Sequence, residues 1–386
     1  MRYKFATAFC SALLFGLFTQ ASADTGYQVA NLVSDGSVPA AHTDPNLVNA
    51  WGLVFNPTGF SWVADNGTGL STLYDGSGVA QSLVVAVPGS DGPADPTGIV
   101  FNGSNSFVVS DGQGHSGASA FIFASEDGTI SGWSPTVPLP PPSTVAHVAV
   151  DDSSTGAVFK GLAIGTNNSA QFIYATDFHN NRIDVFNSSF TPVTPAGSFT
   201  DPNIPAGFAP FGIQNIGNLL YVTYAKQDAN AHDDVAGPGN GFVDVYDTAG
   251  NLLHHLVAGG ALNSPWGLAM APANFGALSN DLLVGNFGDG TIHAYDPTTG
   301  ALLGTVDDKN GNPLVMDGLW GMQFGNGLFG QDTNALFFTS GPGGEAGGLY
   351  GRISAVPEPS TLVMAALSAC TLLGVHMHRR RASRSK

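Results

Sequence analysis

Six times along the chain, a bulky residue, a threonine or a lysine stands before a glycine that opens a short apolar stretch. The pairs are Trp51-Gly52, Thr97-Gly98, Lys160-Gly161, Phe211-Gly212, Trp266-Gly267 and Trp320-Gly321. Successive glycines lie 46, 63, 51, 55 and 54 residues apart. A period of roughly fifty residues is the size of one four-stranded propeller blade. Each unit also repeats internally. A second strand ends in small polar residues, at 60–69, 106–114, 172–181, 219–228, 281–290 and 335–344. A third follows at 70–78, 119–128, 182–189, 241–250, 291–300 and 348–354. Variable fourth strands are expected at 79–87, 129–135, 191–199, 251–259 and 301–308. Aspartate or asparagine and then glycine between strands three and four is a tight-turn signal.

The sixth unit ends after its third strand. The segment 27–33 matches the fourth-strand pattern and predicts ring closure by pairing with the last blade. Closure removes an open sheet edge. The expected fold is therefore all-β, a six-bladed β-propeller over residues 24–354.

The two ends read differently. Residues 1–23 have Arg2 and Lys4 before a short apolar run, then Ala21 and Ala23 in the small-x-small pattern of a signal-peptidase site. Residues 355–386 carry Pro357-Glu358-Pro359, an apolar run at 361–375, and Arg379, Arg380 and Arg381. A short hydrophobic helix followed by cations holds that end on the cytoplasmic side. These ends predict export to the envelope or the exterior, with the last helix as a transient or stable anchor.

Cys10 and Cys370 lie in the two end segments, so the body has neither disulfides nor thiolate chemistry. Residues 24–354 hold five cations against 28 acids, a balance of −23. Such a surface repels nucleic acid and favours cations, neutral ligands or basic partners.

The run 174–186 resembles the strand–turn–strand signature of NHL-repeat propellers, and the body resembles NHL and SMP-30-like propellers. With its Asn49-Ala50-Trp51-Gly52-Leu53 opening it is more similar to an uncharacterised family of exported bacterial propellers. The tail resembles the PEP-CTERM sorting signal, which implies an exosortase-type protease as a partner. These resemblances imply fold and address, while function is carried by individual sites.

In a propeller, loops entering the first strand and loops joining strands two and three share one face, and a ligand site is expected there. On it fall His42, Asp44, Lys226, His232, Asp233, Trp266 and Trp320. Asp65, Asp111, Asp177 and Asn286 occupy the position after strand two. As a ring of oxygens they suit Ca²⁺ or Mg²⁺; as turn residues they cap local amides. His232, Asp233 and Asp234 in the long loop 226–241 are metal-ligating types or solvated charges. Trp51, Trp266 and Trp320 either ring the channel mouth and stack on a sugar or pack between blades. No hydrolase nucleophile motif is present. Two functions follow: an exported binding or scaffold module, with an extracellular polysaccharide or matrix as its partner, or a divalent-metal-dependent hydrolase or lactonase with its site in the channel.

Overall fold

A computed structural model describes residues 26–356. The signal-peptide reading of 1–23 and the sorting-tail reading, including Pro357, Glu358, Pro359 and the terminal arginines, lie outside the described residues. Among the described residues, no helix is long and apolar enough to cross a membrane.

Among the described residues, six blade sheets, antiparallel apart from the short pairing of Val33 with His42, stand around an axis, with two small two-stranded sheets beside them. The innermost strands of the blades are Ala50–Phe55, Pro96–Phe101, Phe159–Asn167, Phe208–Ile216, Pro265–Met270 and Leu319–Phe324. These are the six Gly-containing stretches. Their glycines explain the ring. A Cβ added at any of the six would come under 3.0 Å from a backbone atom of the next blade. Gly52 faces the Thr97 carbonyl, Gly98 the Leu162 amide, Gly161 the Phe211 carbonyl and Gly212 the Trp266 carbonyl. Gly267 faces the Trp320 carbonyl, and Gly321 returns to the Trp51 carbonyl. Only a residue without a side chain lets inner strands pass this closely. Hydroxyls tie some of the same neighbours: Thr97 Oγ1 donates to the Phe159 carbonyl at 2.7 Å, and Thr176 Oγ1 to the Phe211 carbonyl at 2.7 Å.

Closure follows the predicted route. Strand Tyr27–Ser34 pairs antiparallel with Leu349–Ala355, and the last sheet runs outward from Leu319–Phe324 through Ala335–Ser340 to that pair. The Tyr27 hydroxyl donates to the Phe275 carbonyl at 2.8 Å, pinning this strand to blade 5 as well. Buried apolar faces fill the gaps between blades, as between blades 3 and 4, where Tyr174, Ile183, Val222 and Tyr246 meet.

Two blades depart from the expected strand assignment. In blade 2, residues 106–114 are not the second strand. Val108–Ser110 and Ser116–Ala118 form a separate hairpin, and the sheet proper is Pro96–Phe101, Phe121–Ser125, Thr129–Trp133 and His147–Asp151. This hairpin is inserted where the repeat spacing is longest. In blade 3 the predicted fourth strand at 191–199 shrinks to a single bridge between Phe186 and Pro192. Pro192 and Pro195 lack the N–H groups a ladder needs.

Candidate functional site: a charged cluster over an aromatic plug

Four of the six residues before the repeat glycines, Trp51, Phe211, Trp266 and Trp320, pack together at one end of the axis. Trp51 stacks on Trp320 (centroids 3.6 Å apart), and Phe287 stacks on the other side of Trp320 at 3.9 Å. Trp266 meets both tryptophans edge-on, at 6.2 and 5.9 Å. With Phe178 and Phe211 they form an apolar plug. Behind it the channel narrows to a cavity of about 30 Å³ lined by Gly52, Leu53, Ile99, Leu162 and Ile213. That volume holds a water or two and no organic substrate.

Lys160 takes the same position in blade 3. Its side chain is 2 % exposed and its Nζ lies 5.2 Å from the Trp51 ring centroid. Nζ donates to Glu126 Oε1, and to Asp233 Oδ1 at 3.3 Å. Burial alone would lower its pKa; Glu126, then Asp233, outweigh burial and hold it above the ordinary lysine value. The ammonium is therefore a fixed cation, unsuited to act as a base or an amine nucleophile.

An amide chain links this ion pair to blades 1 and 6. Asn66 Nδ2 donates to Glu126 Oε2 at 2.8 Å. Asn49 Nδ2 donates to Asn66 Oδ1 at 3.0 Å and to Glu345 Oε2 at 2.9 Å. Trp320 Nε1 donates to Asn49 Oδ1 at 3.2 Å, and Trp266 Nε1 to the Lys160 carbonyl at 2.8 Å. Burial raises the Glu345 pKa above the usual carboxylate range; the Asn49 hydrogen bond lowers it and repulsion from Glu126 adds to the rise. Asp95 and Asp234 are raised chiefly by burial too. The surroundings are thus strongly acidic around one buried cation, with Trp266 half-buried at the edge of the plug.

The residues singled out from the sequence fall into distinct places. His232 and Asp233 belong to this cluster, with His232 Nδ1 2.9 Å from Asp233 Oδ1. Trp320 is sealed inside the plug. His42 is exposed on the short strand His42–Thr43. Asp44 caps the Asn46 amide at 3.0 Å and accepts from the Tyr74 hydroxyl at 2.9 Å. Lys226 ends the strand Leu219–Lys226, exposed.

The four residues expected to ring the axis have separate local settings. Asp65 is wholly buried; neither of its oxygens meets a donor in hydrogen-bond geometry, and the nearby Thr72 does not offset the burial that lifts its pKa well above normal. Asp111 sits on the blade 2 side hairpin, 2.5 Å from His115 Nδ1. Asp177 accepts from the Val158 amide at 3.2 Å and the Asn180 side chain at 2.7 Å. Asn286 spans the Asn263 amide (3.1 Å) and the Ala261 carbonyl (2.9 Å).

Among the described residues, two groups of three bring metal-ligating atoms within 4.8 Å of one another: Glu126–His232–Asp233 and Asp201–Asp244–His255. Asp65, Asp111 and Asp177 belong to neither. At the axis the donor set does not fit Ca²⁺ or Mg²⁺, because the Lys160 ammonium already stands between Glu126 and Asp233. Sequence reasoning missed Glu126, Lys160, Asn49, Asn66 and Glu345 as one unit. The usable signal was Lys160 itself: a lysine in a position otherwise held by aromatics and threonine demands buried counter-charge.

Fold and axis together define a plugged six-bladed propeller with a charged cluster on one mouth. No family model matches the chain. It is 32% identical over 350 residues to the uncharacterised protein R648 of Acanthamoeba polyphaga mimivirus, covering 88% of this chain and 83% of that one. It is 35% identical over 308 residues to the uncharacterised protein L690 of the same virus, covering 77% and 78%. The chain belongs to the family of R648 and L690. This corrects the expected membership of an exported bacterial propeller family with NHL- and SMP-30-like repeats and a PEP-CTERM tail, since the curated relatives are mimivirus proteins. Residues 174–186 lie in the hairpin of strands Ala170–Asp177 and Arg182–Asn187.

Among solved structures, the chain is similar to a protein of unknown function from Bacteroides thetaiotaomicron (9% identity, TM-score 0.54, 86% of this chain and 77% of that one). It is also similar to virginiamycin B lyase from Staphylococcus aureus (13%, TM-score 0.47, 86% and 100%). At such identities the likeness concerns the fold alone.

Proposed function

We propose that the protein is a binding module whose charged axial mouth takes a neutral or cationic polar ligand against Trp266. The observation that carries this reading is the plug: stacked Trp51, Trp320 and Phe287 close the channel. What remains beside Trp266 is a surface of acids and amides. Glu345 and Asp233 offer acceptors to hydroxyl or ammonium donors, and the indole offers an apolar face. Anions are disfavoured by the acidic surroundings. The hydrolase alternative has less support, because Asp65, Asp111 and Asp177, on which it rests, belong to neither group of converging metal-ligating atoms among the described residues.

Titration with cellobiose, spermidine and citrate, followed by tryptophan fluorescence, tests this. A saturable change with cellobiose or spermidine, absent with citrate and weakened at least tenfold by Trp266→Ala, is the expected result. Saturation by citrate alone, or binding indifferent to Trp266→Ala, contradicts it. Export of the module rests on residues 1–23 and requires the isolated protein to begin at Asp24.

A further inference from the structure

A second cluster lies away from the axis, within blade 4. Asp201 comes from the segment entering the blade, Asp244 from its third strand Phe242–Asp247, and His255 from its outer strand Leu252–Ala258. Both carboxylates have fully buried side chains, and the imidazole is 26 % exposed. Asp201 Oδ2 and Asp244 Oδ1 converge on His255 Nδ1 at 2.6 and 2.8 Å.

The outward oxygens are held from behind. Asp201 Oδ1 accepts from the Asn203 amide and side chain, both at 2.8 Å. Asp244 Oδ2 accepts from the Tyr246 hydroxyl at 3.1 Å, and that hydroxyl is 2.7 Å from the Tyr224 hydroxyl. Carboxylates held this way, with one oxygen of each free to converge, have the outer-shell support found around metal ligands.

Hydrogen bonding and charge are both incomplete. One N–H serves one acceptor, and the imidazole is in hydrogen-bond geometry with Asp244. Asp201 Oδ2 is left buried with no hydrogen-bond donor despite its short distance to the ring. Two buried carboxylates converging on one imidazole also crowd acidic groups into a dry interior, a costly arrangement.

We propose that Asp201, Asp244 and His255 form a site for one divalent transition-metal cation of the Zn²⁺ type, with the fourth position open to solvent beside the imidazole. A dication on two carboxylates and a neutral imidazole leaves the site uncharged and gives Asp201 Oδ2 a partner. One nitrogen and two oxygens suit Zn²⁺ and Co²⁺ better than Ca²⁺, which prefers six or more oxygens. Zn–ligand distances of about 2.0–2.2 Å place tetrahedral ligands roughly 3.3 Å or more apart, so from 2.6 and 2.8 Å the Asp201 and Asp244 oxygens need to draw back from the imidazole nitrogen by at least about 0.7 and about 0.5 Å. The ion then fastens the blade-entry segment to the outer strands of blade 4.

The test is calorimetric titration of chelator-treated full-length protein with Zn²⁺, paired with the visible spectrum of the Co²⁺ form and thermal melts. Histidines in the terminal segment are controlled by comparing variants. One ion per chain is expected, with Co²⁺ absorption bands of a four-coordinate site and a higher melting temperature. Asp201→Asn and His255→Gln, each confirmed folded by circular dichroism, should weaken binding at least a hundredfold, and Asp233→Asn should leave it unchanged. Absence of binding at 100-fold excess Zn²⁺ overturns the proposal. So does binding that survives both blade 4 variants, or binding that is lost with Asp233→Asn.

Discussion

Replacing Lys160 with methionine lowers stability at pH 7 by about 3 kcal/mol, measured by denaturant unfolding. Removing one partner of a buried ion pair typically costs about 3–5 kcal/mol, because the other charge stays behind without compensation. The lower end applies here. Glu126 is 14 % exposed and keeps its bond from Asn66, while Asp233 is 68 % exposed and loses little. The methionine stem fills most of the space beside Trp51, so packing loss is small.

The deficit depends on pH in a definite direction. Glu345 already has a folded pKa above its unfolded value, with Lys160 acting against that rise. Without the ammonium it rises further. A carboxyl with a raised folded pKa costs nothing below its unfolded value, about 4.3, and an increasing amount as pH climbs through the window above it. The variant should therefore approach the parent protein near pH 4 and fall away from it toward pH 7. A deficit that is flat across this range would mean that lost packing, not lost charge, is responsible.

Gly212→Ala is expected to cost at least about 3 kcal/mol, at or beyond the upper end of ordinary overpacking. The added methyl would overlap the Trp266 carbonyl oxygen and carbon, which are backbone atoms and cannot rotate away. Relief requires inner strands of blades 4 and 5 to separate, and the ring transmits that shift around the axis. Gly103→Ala is the control. Its methyl meets only the Phe101 ring edge, at 3.3 Å, and should change stability by a few tenths of a kcal/mol. Similar costs for the two would remove the close-approach explanation for the repeated glycine.

Blade number and closure were legible because one steric requirement recurs at each inner strand and leaves a glycine mark. The second strand of blade 2 was not. Residues 106–114 show the same alternation and Asp-Gly turn as a true second strand, and only the 63-residue spacing warned of an inserted hairpin. That slip placed Asp111 at the axis and hid Glu126, which follows the true second strand. The inward turn of His255 was not legible either. Register shifts at Val243/Asp244 and Val245/Tyr246 mark bulges in the ladder, and His255 turns inward against Asp244 while His254 stays exposed. The partners of Lys160 come from blade 2 and the 226–241 loop, far apart in sequence, and only the closed ring brings them together.

The lysine-filled axis is tested most directly by a crystal structure of the protein grown with millimolar Ca²⁺ and Zn²⁺, with anomalous scattering recorded at the zinc edge. The Lys160 ammonium is expected between Glu126 and Asp233, with no ion at the axis. An ion bound to those carboxylates with the lysine swung aside would contradict it and return the channel mouth to metal-dependent chemistry.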